Sequence, residues 1–263
     1  MADNYEVFKE EILRLTKIDL NAYKERQMKR RIDALISKHK VTSYTTYAAM
    51  LKSDKKLFDE FVNYLTINVS EFYRNPEQWR ILEKEVLPQL FDKFGKPLKI
   101  WSAACSTGDE PYSLVMLLSK FMPLNQIKII ATDIDLQVME KAKAGLYSEK
   151  SVKELPNEFI DKYFEKMNNH TYEISDKIKS RVEFKQHNLL KDSYPSSCDL
   201  IVCRNVMIYF TEEAKREIYI NFNKALKEDG ILFVGSTEQI IQPKQLGYTS
   251  MKSFFYKKVK IAE

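Results

Sequence analysis

Between Leu98 and Ser113 the chain runs from an apolar strand, Leu98-Lys-Ile-Trp-Ser-Ala103, through small residues with a single glycine, Gly108, to an acidic pair, Asp109-Glu110. Pro111-Tyr112 then opens a helix. A strand, a tight loop and a helix in that succession bring backbone N–H groups close to a nucleotide-like ligand at the edge of a parallel sheet. The loop lacks the Gly-x-x-x-x-Gly-Lys of a phosphate loop, and one glycine does not make a dinucleotide fingerprint. Carboxylates at its end suit a ligand bearing hydroxyls or positive charge and suit a pyrophosphate badly. A sulfonium nucleoside, S-adenosylmethionine, meets that description.

The rest of the sequence fits an α/β frame around this loop. Strands are expected at Leu98–Ala103, Ile127–Thr132, Val182–Gln186, Leu200–Cys203 and Ile231–Gly235, and helices at Glu110–Phe121, Leu136–Ala144 and Glu212–Leu226. Strands spaced by helices predict a parallel sheet covered on both faces. Gly247–Val259 alternates and is aromatic, as an antiparallel pair closing the sheet edge would be. The rhythm breaks at 163–182, where Asn168-Asn169 followed by Thr-Tyr-Glu-Ile predicts a small β-hairpin insertion without a glycine at its turn.

Upstream the pattern is helical. Tyr5, Phe8, Ile12 and Leu15 recur at helical spacing, as do Met28, Ile32, Leu35 and Ile36, then Phe58, Phe61, Val62 and Leu65. Thr42 and Ser43 are candidate caps for a short helix through Tyr47 and Leu51. Asn75-Pro-Glu-Gln78 predicts a helix start, with Asn as cap, Pro first and Gln third. That helix is expected to run to Phe94, kinked by Pro88, and to stop near Gly95 and Pro97. The expected organisation is therefore a helical domain over 1–70, a linker and connecting helix over 71–97, and a nucleoside-binding α/β domain over 98–263 carrying the insertion.

Composition narrows the class. The 263 residues are 44% hydrophobic and 30% charged, ordinary for a globular protein with a substantial core. No apolar run reaches the roughly 18–20 residues of a membrane span, and Met1–Phe8 shows no signal pattern. A cytoplasmic location without membrane insertion is the expectation. Cys105, Cys198 and Cys203 have no metal spacing, and His39, His170 and His187 are scattered, so no metal is expected. The net charge of +5 suits an acidic partner without requiring one. No aromatic residues interleave the basic ones, which argues against nucleic acid.

Several residues beyond the loop could carry chemistry. Ile129-Ile-Ala-Thr-Asp-Ile-Asp135 is an apolar strand ending in carboxylates. Asp133 stands where ribose hydroxyls are bound in such units and Asp135 where the next helix is capped, although both could be caps. Asn188 and Leu189 follow another strand and could meet an adenine edge and ring, or form an ordinary turn. Arg204 and Asn205 follow the buried strand Cys198–Cys203 directly, as a ligand site or as strand-end caps. The run 24–40 carries Lys24, Arg26, Lys29, Arg30, Arg31, Lys38 and Lys40 against Glu25 and Asp33, a solvated face or a docking surface.

Trp101–Ser113, Ala131–Asp135, Cys203–Phe210, Asn68–Arg74 and Gly235–Glu238 together closely resemble the chemotaxis receptor methyltransferases (CheR-type), in order and spacing over nearly the whole chain. The resemblance implies a Rossmann-like S-adenosylmethionine methyltransferase sheet with a small β-hairpin insertion, preceded by an all-α N-terminal domain. It implies methyl esterification of glutamate side chains on the cytoplasmic helical bundle of chemoreceptors (methyl-accepting chemotaxis proteins), with S-adenosylhomocysteine as product, and a monomeric enzyme. The family's donor-binding positions fall on Asn68, Ser70, Arg74, Glu110, Asp133, Asn188, Leu189, Arg204 and Asn205. Ser70 stands where Thr is common and Asp109 where Glu is common, keeping hydroxyl and charge. Tyr209 matches a tyrosine of the active site, though it could equally be a core aromatic. Arg74 could hold the substrate's carboxylate or the donor's methionine end. Lys29, Arg30 and Arg31 would dock an acidic receptor bundle, and in some members the insertion captures a receptor's C-terminal peptide by strand addition.

Other readings are a methyltransferase with another protein substrate, an RNA or amine methyltransferase, and a donor sensor without catalysis. Arg204-Asn205-Val206-Met207 lacks the prolines of the Asn/Asp-Pro-Pro-Tyr turn common in amine methylation. No Ser/His/Asp or Cys/His constellation is evident, and none is needed if the nucleophile is a carboxylate ionised near neutral pH.

Overall fold

A computed structural model describes residues 5–259. The chain divides into two compact units. One runs through Asn68 and takes in Met207–Arg216, and the other comprises Val69–Val206 and the chain from Glu217 onward.

The first unit is built on helices Tyr5–Thr16, Glu25–Lys38, Tyr44–Ser53 and Lys55–Thr66. Ser43 caps the third through its hydroxyl, which accepts from Thr46 N at 3.2 Å. Asp54 Oδ1 caps the fourth, accepting from Lys56 N at 2.8 Å and Leu57 N at 3.1 Å. The buried stripes meet in an aromatic centre where Phe61 stands edge-on to both Phe8 and Tyr47. In the fourth helix the fully buried row is Leu57, Phe61 and Leu65, whereas Phe58 and Val62 are only half-buried, one step round from the expected stripe. Met207–Arg216 joins this unit through backbone bonds, Lys24 N to Tyr209 O and Thr211 N to Ala22 O, both 2.9 Å, with the Tyr23 ring on Phe210.

The second unit holds ten strands among the described residues: β1 (Ile100–Ala103), β2 (Ile129–Asp133), β3 (Leu146–Ser148), β4 (Phe164–Asn168), β5 (Thr171–Ile174), β6 (Val182–Gln186), β7 (Cys198–Cys203), β8 (Leu226–Val234), β9 (Tyr248–Lys252) and β10 (Phe255–Lys258). Seven form one sheet in the order β6-β2-β1-β7-β8-β10-β9. The pairs from β6 through β8 are parallel, and β10 runs antiparallel to both β8 and β9. Strand succession reverses between β1 and β7, the switch point outside whose C-terminal ends an open α/β sheet receives its ligand. The helix Asp109–Leu118 that follows β1 is buried at nine of its ten residues, as expected of a helix covered on all sides. It ends at Leu118 rather than Phe121.

Two local expectations are corrected. The insertion is a three-stranded sheet, β3-β5-β4, to which the three-residue β3 adds a strand too short to show periodicity. Its hairpin turn works without glycine because Asn168 Oδ1 accepts from His170 N at 2.9 Å, closing an Asx turn. The helix begun at Pro76 meets Pro88 by widening rather than by a simple kink. Leu82–Val86 forms a π turn in which Leu87 N donates to Leu82 O, directly ahead of the proline that has no N–H to give.

Replacing Asp54 by Ala is expected to cost about 1 kcal/mol of stability and Asp54→Asn much less, because the amide oxygen still caps the helix. Urea denaturation followed by circular dichroism measures both.

Candidate functional site

The loop leaving β1 owes its shape to three residues with left-handed backbone, Ala104 (φ 60°), Ser106 (φ 48°) and Gly108 (φ 87°). Two of them are not glycine and must be held there by their surroundings. Asp133, at the end of β2, supplies that hold: its Oδ2 accepts from Ser106 N at 2.8 Å and its Oδ1 from Asp135 N at 3.0 Å. Cys105 N continues the β1–β2 ladder by donating to Thr132 O at 2.9 Å. Tyr147 donates to Thr107 O, which pins the loop, and Tyr112 in the following helix donates to Ala142 O. At Gly108 there is no room for a side chain. A Cβ there would lie 2.8 Å from Ala142 Cβ and 2.9 Å from the Tyr112 ring.

Asp133 is thus neither a helix cap nor free of protein bonds, while Asp135 is the cap, accepting from Gln137 N at 2.9 Å. Burial pushes the Asp133 carboxyl up to about 6, against the pull of the backbone N–H groups of Asp135 and Ser106. Each of its oxygens keeps a further lone pair for a ligand hydroxyl.

Glu110, its side chain 14% exposed, sits in the first turn of the following helix. Ser102 on β1 donates to its Oε1 at 2.8 Å, and Arg204 Nη1 stands 3.8 Å from its Oε2. Burial raises Glu110 to about 7, with the Arg204 charge and the Ser102 bond pulling the other way. The neighbouring Asp109 is buried and raised by desolvation, steadied by hydrogen bonds from Thr107 and Ser70. Asp133 thus stands at the end of β2, and Asp109 and Glu110 open the helix after β1, beside the β1–β7 switch point.

Arg204 occupies the end of β7 with its guanidinium over Phe233, 4.7 Å from the ring centroid. Its Nη2 donates to Arg74 O and Gln78 Oε1, both at 2.7 Å, and to Asn75 Oδ1 at 3.3 Å. The helix start expected at Asn75-Pro-Glu-Gln78 is present, with Asn75 at the cap position and Pro76 first, but without a side-chain cap. Asn75 has left-handed backbone (φ 61°) and makes no side-chain cap bond, since its carbonyl and that of Gln78 are given to the buried cation. Arg204 therefore fixes the segment that bears Arg74. The Arg74 guanidinium, 31% exposed, donates to Val69 O at 3.2 Å and lies 3.9 Å from Glu71. Asn205 has φ 62°, and its N–H donates to Glu238 Oε2 at 2.7 Å.

Asn188 shapes the turn after β6, accepting from Leu190 N at 2.9 Å through Oδ1, and Leu189 beside it is buried. Asn68 and Tyr209 belong to the first unit. Asn68 Nδ2 donates to Thr66 Oγ1 at 2.8 Å. Tyr209 is not a sheet-core aromatic. It lines a cavity of about 190 Å³ with Lys24, Gln27, Arg30, Arg31 and Ile67. Of the three basic residues, Lys29 lies over the Tyr5 ring, Arg30 is exposed, and Arg31 donates to Tyr64 O and stacks on the Tyr64 ring at 4.5 Å.

Two contributors escaped notice in the sequence. Ser102 is a small polar residue inside an apolar strand, a weak signal for a bond to a buried acid. Glu238 closes the motif Gly235-Ser-Thr-Glu238, to which no chemistry was attached. Among the described residues no group of three or more His, Cys, Asp or Glu side chains is arranged to hold a metal, and no helix is long and apolar enough to cross a membrane.

Comparison with known proteins adds the following. Residues 68–255 match the family profile described as "CheR methyltransferase, SAM binding domain", and residues 3–66 match "CheR methyltransferase, all-alpha domain". A chemotaxis protein methyltransferase of Listeria monocytogenes is 41% identical over 91% of this chain and 91% of its own length. One of Borreliella burgdorferi is 32% identical over 93% of each. A TehB-like SAM-dependent methyltransferase structure from Corynebacterium glutamicum shares 17% identity over 70% of this chain and 94% of its own, with a TM-score of 0.38.

Gly108→Ala is expected to cost about 1–3 kcal/mol through its backbone conformation and the contacts its methyl group would meet. Thermal unfolding of the two proteins side by side measures the loss.

Proposed function

The chain belongs to the CheR methyltransferase family, and we propose that it esterifies glutamate side chains on the cytoplasmic helical bundle of chemoreceptors, taking the methyl group from S-adenosylmethionine and leaving S-adenosylhomocysteine. The observation that carries this reading is the group of enclosed carboxyls, Asp133, Glu110 and Asp109, near the sheet's switch point, each shifted upward by burial. Such a group is poised to accept hydroxyl groups and to gain from a nearby cation, and it lacks the glycine-rich amide cradle a pyrophosphate needs.

S-adenosylmethionine supplies an electrophilic methyl group on a sulfonium centre. In this reading Asp133 accepts from the ribose, Asn188 and Leu189 border the adenine, and Glu110, Ser70, Arg204 and Asn205 take up the remainder. A glutamate nucleophile with a pKa of about 4.3 is already ionised at neutral pH, so no base is required. What the residues must do is orient and exclude water. Alignment of reactants of this kind is worth on the order of 7–11 kcal/mol, and a dry setting favours the meeting of an anion with a cation. Arg74 has a planar fork suited to a carboxylate and is placed by Arg204. Tyr209 and the exposed Arg30 serve the substrate side. Arg31 has a structural task in holding Tyr64.

Incubation with methyl-labelled donor and chemoreceptor-containing membranes is expected to give label that leaves as methanol in alkali. Alkali-stable label would mark a methylamine and overturn the ester assignment.

The raised carboxyls set a pH dependence. Burial shifts Glu110 to about 7 and Asp133 to about 6 in the ligand-free protein, and a bound cation favours the ionised form. Donor binding should therefore release protons and tighten as pH rises from about 5.5 to about 7.5, then level off. Calorimetry in two buffers of different ionisation enthalpy measures the release, and an affinity flat across that range would count against it.

A further inference from the structure

We propose that Glu238 is a positioning residue for methyl transfer, fixing through one carboxylate oxygen the backbone on which Arg204 and Asn205 are presented to the donor. The inference rests on the function proposed above for Arg204 and Asn205.

Glu238 is a carboxylate only 4% exposed, in the loop that follows β8. Its own N–H donates to Gly235 O at 3.0 Å, closing a turn that folds the side chain back over the strand end. Oε2 then accepts two backbone N–H groups, from Gly235 at 2.8 Å and from Asn205 at 2.7 Å. These donors belong to the segments leaving β8 and β7, neighbours in the sheet. One oxygen thus closes the sheet's rim where two parallel strands end and their ladder has run out. Bonds of this kind to an ionised acceptor are about twice as strong as neutral ones.

Asn205 has the left-handed backbone that a residue with a side chain adopts at a cost. Without an acceptor for its N–H, the preference for an ordinary conformation would turn the peptide and carry Arg204 with it. Gly235 is part of the same device. A Cβ there would meet Glu238 Oε2 at 2.6 Å and Asn205 N at 2.7 Å, so only glycine lets the carboxylate and the amide approach. The glycine and the acid three residues later in Gly235-Ser-Thr-Glu238 have one joint purpose.

The test compares Glu238→Ala, Glu238→Gln and Gly235→Ala with the unaltered protein. Calorimetry gives the affinity for S-adenosylhomocysteine, methyl-transfer assays give KM for each substrate and kcat, and circular dichroism checks folding. Glu238→Ala and Gly235→Ala are expected to weaken nucleoside binding by about tenfold or more, the scale of one lost bond to a charged acceptor. The receptor KM should be nearly unchanged. Glu238→Gln keeps an acceptor oxygen and is expected to restore most of the affinity. Should Glu238→Ala not fold, Glu238→Asp, one methylene too short to reach both amides, takes its place with the same expected loss. A folded Glu238→Ala or Glu238→Asp protein binding the nucleoside as the unaltered one does would overturn the proposal, and so would a Gln variant as weak as the Ala one. An unaltered protein that ignores the nucleoside would instead strike at the proposed function itself.

Discussion

The buried guanidinium of Arg204 is the contact on which the rest of the second unit's rim depends. It leaves the end of β7 and satisfies three carbonyl oxygens of the segment 74–78 while lying beside Glu110. A cation so enclosed is costly unless its donors are met. Here the oxygens that meet Nη2 come from a segment far away in sequence, which is thereby drawn to the switch point, while Nε is buried without a hydrogen-bond partner. Arg74 is carried on that segment, so the placing of one arginine is a result of the burial of another.

A complementary constraint acts on the other side of β1. The loop 104–108 takes a shape its sequence does not favour, and Asp133 maintains it by accepting from Ser106. The same carboxyl that shapes the loop is the one suited to a ligand's hydroxyls. Structural and recognition duties coincide in one residue because a carboxylate has more lone pairs than the backbone consumes. The cost is desolvation, visible in the upward shift of both Asp133 and Glu110. A cationic ligand would relieve it.

Much of this was legible in the sequence where periodicity or capping speaks through local rules. The strands at 182–186 and 198–203, the helix 136–144 and the caps at Ser43 and Asp135 follow from residues next to one another. Legibility fails where a distant partner outbids a local one. Asn75 and Gln78 mark the helix start correctly, yet their side-chain carbonyls serve Arg204, more than a hundred residues away, instead of the helix end. Arg31 reads as part of a basic run, and its bond to Tyr64, 33 residues on, has no local sign. Ala104 and Ser106 look unremarkable because left-handed backbone at such residues is imposed by tertiary contacts. Ser102 and Glu238 have meaning only once two strand ends are neighbours.

The π turn at Leu82–Val86 has a bearing on how such a helix can change length. A π turn accommodates one residue more than the α-helical turns around it while leaving the helix unbroken. A chain shortened by one residue within this turn could relax into ordinary helix with Leu90 and Gly95 still in place. The same excision elsewhere in the helix would rotate everything downstream by about a quarter turn or more and expose its apolar side. The widened turn is thus a place where the helix can lose a residue and spare the strand that follows.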